Sequence, residues 1–81
     1  MRLDKYLKNA RLIKRRTVAN EACDTDRVEV NGRVEKPSYR VKAGDIITVA
    51  FGNRRLKIRV LSTEDNPGKG NAPLLYEEIS E

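Results

Sequence analysis

Three consecutive cations, Lys14-Arg15-Arg16, are the residues of this 81-residue chain whose types and spacing most clearly imply chemistry. They open a stretch of helical pattern. The start of a helix is already positive, because its first amides lack partners and its peptide dipoles align. Cations are locally the wrong charge there. A bound phosphate would remove the conflict by accepting bonds from the free amides and from arginine, whose planar fork matches phosphate as the lysine ammonium does not. Solvation is the plainer purpose of a charge run. Against it, arginine dominates this cluster, and Arg2, Lys5 and Arg11 fall where a preceding helix would extend the same patch.

Other chemistries find little support. The chain has no histidine and a single cysteine, Cys23, which falls on the apolar face of its helical stretch and is expected to pack there. Acid–base or nucleophilic catalysis would need a paired set of such groups, and zinc would need a denser one. The five glycines are scattered at turns, with no phosphate loop. The expectation is a protein without enzymatic activity, cofactor, metal or small-molecule substrate. Four aromatics, Tyr6, Tyr39, Phe51 and Tyr76, leave few platforms for base stacking, and Tyr6 and Phe51 read as core. A binder that senses backbone shape fits better, with Tyr39, in the Pro-containing connection, the one aromatic that could touch RNA.

The elements that position these residues follow from periodicity. Leu3, Tyr6, Leu7 and Ala10 recur at helical spacing, and Asp4 precedes Lys8 by four residues, a favourable helical pair. After a joint at Arg11 to Ile13, a second helix is expected from about Arg15 to Cys23, with Val18, Ala19, Ala22 and Cys23 on one face. Asp24-Thr25-Asp26 ends it. The period then falls to two: Val28 and Val30 lead into Asn31-Gly32, a pair suited to a type I′ hairpin turn, and Arg33-Val34-Glu35 returns. Pro37 makes Lys36 to Lys42 an edge or irregular connection. Gly44-Asp45 reads as a turn. Ile47, Val49 and Phe51 should face inward, as should Leu56, Ile58 and Val60 after a turn at Gly52-Asn53. Arg55, Lys57 and Arg59 then form a basic outward row. Asn66 to Pro73 has linker chemistry, and the last eight residues are expected to be disordered or one short helix.

Charge is unevenly distributed. Seventeen Lys and Arg against twelve Asp and Glu give +5, which favours a polyanionic partner. Through Arg16 seven bases meet one acid, whereas from Glu64 onward one base meets five acids. The single cysteine suits a reducing compartment, and no apolar stretch approaches the roughly 20 residues needed to cross a bilayer. The start lacks the apolar run of a signal peptide. The chain reads as cytoplasmic and not membrane-bound.

Taken together, Met1-Arg2-Leu3-Asp4-Lys5-Tyr6-Leu7, Arg11-Leu12-Ile13-Lys14-Arg15-Arg16-Thr17-Val18-Ala19, Val28-Glu29-Val30-Asn31-Gly32, Lys36-Pro37-Ser38 and Val41-Lys42-Ala43-Gly44-Asp45 resemble the alpha-L RNA-binding motif. The resemblance runs from Met1 to about Phe51. It is strongest to the stand-alone RqcP-like proteins and the ribosome-associated heat-shock proteins of bacteria. It implies an α+β fold, two N-terminal helices packed on a small, mainly antiparallel sheet built from hairpins. Residues 1–63 would form the RNA-binding domain and residues 64–81 an acidic C-terminal tail.

The implied partners are rRNA of the large ribosomal subunit, peptidyl-tRNA and an RqcH-like factor that adds an alanine tail to a stalled nascent chain. The implied RNA-facing residues are Arg2, Lys5, Arg11, Lys14, Arg15, Arg16 and, beyond the hairpin, Lys36. At Arg15 many relatives have Ser or Thr, so the usual small capping residue is absent. An alternative is a detached RNA-targeting module that recruits an enzyme or other partner to structured RNA. A DNA-binding helix pair is disfavoured, because the second helix carries few residues suited to reading base edges.

Overall fold

A computed structural model describes residues 1–63 and 75–79. Two helices, α1 (Leu3–Asn9) and α2 (Arg16–Asp24), are followed by strands β1 (Val28–Val30), β2 (Arg33–Val34), β3 (Ile46–Phe51), β4 (Arg54–Val60) and β5 (Tyr76–Glu78). The strands form one sheet in the order β2-β1-β3-β4-β5, antiparallel throughout, with the helices packed on one face. This is the expected α+β architecture. The proposed linker from Asn66 to Pro73 lies outside the described residues.

The apolar stripe of α1 does what its spacing requires. Leu3, Tyr6 and Leu7 are completely buried, and they meet Ala19 and Cys23 of α2 over Val28, Val30, Ile47, Val49, Ile58 and Val60 of the sheet. The Asn31-Gly32 turn adopts positive φ at both residues, 54° and 85°, as a type I′ turn demands. Its asparagine also ties two distant turns together. Asn31 Nδ2 donates to Asp45 Oδ1 at 3.1 Å, and Ile46 N donates to Asn31 Oδ1 at 3.0 Å. Buried Asp45 further accepts from the Tyr39 hydroxyl and the Lys42 amide, both at 3.1 Å. Tyr39 is thus half-buried, and its hydroxyl helps hold the 36–45 connection.

Three expectations are corrected. Val18, placed with the core-facing residues of α2, is 49% exposed, whereas Ala19 and Cys23 are the buried residues of that helix and Ala22 packs partly against the core. Phe51 is 41% exposed, because it borders an open hollow beside α2 rather than the closed core.

The chain end supplies the third correction. Tyr76–Glu78 is neither disordered nor helical but a fifth strand. The outer edge of β4 offers unpaired backbone groups, and its basic row attracts the acidic tail: Arg59 Nη1 meets Glu77 Oε1 at 2.6 Å across the register. The buried Tyr6 hydroxyl anchors the approach, donating to the Leu75 carbonyl at 2.5 Å. Burial, with Tyr76 adding to it, holds the Tyr6 phenol well above the usual tyrosine range, so it stays a donor.

Candidate nucleic-acid interface

At its start, α2 leaves a helix end without a conventional cap. Arg15 occupies the N-cap position in extended conformation, and its side chain makes no capping bond. The exposed Lys14, Arg15 and Arg16 therefore stand together at that end, as their sequence suggested.

The conflict of charge is partly resolved from within. Asp4 of α1 is 2% exposed and faces the first turns of α2. Its carboxylate meets Arg2 Nε at 3.2 Å and Arg16 Nε at 3.4 Å, and it accepts from Asn20 Nδ2 at 3.3 Å and the Lys5 amide at 2.8 Å. The pairing with Lys8 expected along α1 is replaced by these contacts, because Asp4 points to the α1–α2 seam. Burial by itself would raise the Asp4 pKa. The Asn20 amide, the Lys5 N–H and the Arg16 and Arg2 guanidiniums outweigh it, holding the carboxyl below its ordinary 3.8. One buried anion thus holds two arginines, each about half exposed, side by side over a shallow hollow completed by Thr17 and Asn20. Fixing two long cationic side chains in advance lowers the entropy lost when they grip a ligand.

A further cation joins them. The chain start pairs with the connection after β2: Leu3 N donates to the Tyr39 carbonyl and Val41 N to the Met1 carbonyl, both at 2.8 Å. This brackets Arg2 and Arg40 as directly opposed antiparallel partners. The bonding pattern is that of a non-hydrogen-bonded pair, the arrangement with the closest side chains, about 4.5 Å between Cα atoms. Like charges so placed repel. Sequence reasoning missed Arg40, since only the bridge between residues 38 positions apart brings it to Arg2.

The remaining candidates are distributed more widely. Lys5 lies on α1, half-buried. Arg11 is exposed in the turn after α1 with φ of 61°, a left-handed conformation costing a non-glycine residue roughly 1–2 kcal/mol. Lys36 does not share the Asp4 hollow. It lines another one at the far end of α2, beside Asp24, Asp26 and Glu35. Cys23 is buried, and burial, reinforced by Asp4 and Asp24, pushes its thiol up to about 11. No cluster of His, Cys, Asp and Glu able to hold a metal occurs among the described residues. No helix there is long and apolar enough to cross a membrane.

A two-helix layer on an antiparallel sheet, with a cationic seam at the start of the second helix, defines a class of small RNA-binding domain. Residues 1–47 match the S4 domain family, and the chain belongs to it. Over 81 residues it is 49% identical to the RQC P-site tRNA stabilizing factor of Streptococcus pneumoniae, covering all of this chain and 92% of that protein. Against the factor of the same name from Bacillus subtilis it is 44% identical over 81 residues, covering 100% and 94%. Among solved structures, trimeric Heat Shock Protein 15 of Vibrio cholerae superposes with a TM-score of 0.86 at 34% identity, over 99% of this chain and 82% of that one.

Proposed function

We propose that this protein is an RNA-binding factor of ribosome-associated quality control that steadies tRNA in the P site of a stalled large ribosomal subunit. The observation that carries the reading is the buried Asp4 carboxylate holding Arg2 and Arg16 together at the head of α2. One buried negative charge against two arginines, with Lys14, Arg15 and Arg40 nearby, leaves a net positive surface that phosphates would neutralise. The S4 domain and the names of the relatives over their nearly full length support the same reading.

In its finer form, the protein contacts rRNA as well as peptidyl-tRNA through Arg2, Lys5, Arg11, Lys14, Arg15 and Arg16, extended by Arg40. Lys36 makes a separate, peripheral contact. It thereby supports an RqcH-like factor that adds an alanine tail, acts in the cytoplasm and performs no chemistry itself.

Sucrose-gradient sedimentation of tagged protein from lysate tests this. The native chain is expected to migrate with 50S particles, and an Arg2→Ala, Arg16→Ala double variant to remain near the top. With purified tRNA, each phosphate contact removed should lower the slope of log affinity against log salt by about 1. Native protein found only at the top of the gradient, with no affinity for tRNA, would overturn the reading.

A further inference from the structure

The end of the β3–β4 hairpin forms a second surface with α2. Phe51, at the end of the helix-facing row of β3, is 41% exposed, and across a gap from it stands Val18 of α2, 49% exposed. Both line an open hollow with Leu12 and Ala22, and the charged residues along it are Lys14 and Arg27, both cations. Lys14 also belongs to the cationic run that reaches Arg16. The hollow is therefore continuous with the head of α2. Arg54 is the cross-strand partner of Phe51 and adds a further exposed cation at the hairpin tip.

We infer that this hollow seats an unpaired nucleobase of the bound RNA, stacked on Phe51 and backed by Val18, with Lys14 and Arg27 on the flanking phosphates. The inference rests on the RNA-binding reading above. A nucleotide combines a flat, weakly polar plate with an anion a few bonds away, and an aromatic seat with a cationic rim complements both parts. Cations alone would suit any phosphate backbone; an exposed aromatic face and valine between them add a reason for a base to leave its helix. No uncharged polar side chain lines the seat among the described residues, so it holds any base by its π-face and discriminates little between them.

The chain has no tryptophan, so Phe51→Trp introduces a single fluorescent reporter at the seat. It should be titrated with an RNA hairpin carrying an unpaired loop and with a fully paired RNA duplex of equal length. Emission is expected to be quenched by the hairpin and not by the duplex. Phe51→Ala should weaken hairpin binding on the order of tenfold, leave duplex binding within about twofold, and be rescued by Phe51→Tyr. A thermal melt close to that of the native chain would confirm that Phe51→Ala still folds.

Equal loss on both RNAs, or no loss on either, would overturn the seat. So would unchanged hairpin affinity with loss of an acidic protein partner, which would assign the hollow to that protein. The two readings fail separately. If Arg16→Ala weakens both RNAs and Phe51→Ala neither, only the base seat falls; if the native chain binds neither RNA, the RNA reading falls with it.

Discussion

At the scale of single residues, Asp4 is the side chain on which the candidate interface turns. Its folded-state pKa lies below the ordinary 3.8, because the bonds and arginines around it outweigh its burial. A depressed carboxylate stabilises the fold fully above its unfolded pKa, and that contribution is lost as pH falls through the folded value. Urea midpoints should therefore decline as pH drops below about 4, and Asp4→Asn should flatten that part of the profile. At pH 7 the same variant should cost about 1–3 kcal/mol and also weaken tRNA binding, since Arg2 and Arg16 lose their common anchor. Cys23 offers a complementary check. With its thiol pushed up to about 11 and its side chain buried, it should resist a thiol reagent at neutral pH in the native protein and react on unfolding in urea. Rapid native labelling would contradict the packing of α2 on the sheet.

Among the elements, the first hairpin does more than reverse the chain. Asn31 satisfies the left-handed turn and also bonds to Asp45 and Ile46, so one residue sets both the hairpin and the start of β3. Asn31→Gly keeps the conformation and loses the side-chain bonds; Asn31→Ala loses both. The expected costs, read from urea midpoints, are about 1–2 kcal/mol for glycine and about 1 kcal/mol more for alanine. Equal values would show that the left-handed geometry carries no penalty at this site. The Val-Asn-Gly and Gly-Asp segments of the family pattern therefore carry structure, and the exposed arginines around α1 and α2 carry the candidate recognition.

Over the whole molecule, the two chain ends are joined through the core. Tyr6, near the start, donates to Leu75, and Ile79 N donates to the Lys57 carbonyl at 2.8 Å. Tyr6→Phe keeps the ring and removes the anchor. It should cost about 1 kcal/mol and speed amide exchange at Ile79, while the amides of β1 and β3 stay protected. Uniform acceleration across the sheet would show that β5 unfolds only with the rest. The opposite charges of the two ends also have separate places: Glu77 pairs with Arg59 of the β4 row, and Lys14, Arg15 and Arg16 stay exposed at the head of α2.

The sequence by itself determined whatever depends on neighbours a few residues apart. Helical spacing from Leu3 to Ala10, alternation in β1, through Val49 in β3 and at the end of β4, the Asn31-Gly32 turn and the cationic run at Lys14 to Arg16 are short-range patterns, and the structure reproduces them. The family resemblance rested on the same segments. Tertiary packing decided the rest. It turned Asp4 from a helical partner of Lys8 into the anchor of Arg2 and Arg16, and it set Arg40 opposite Arg2. It left Val18 and Phe51 in the open and drew Tyr76–Glu78 onto the free edge of β4. Each of these outcomes depends on which elements meet in space. Local propensity and periodicity contain no term for that.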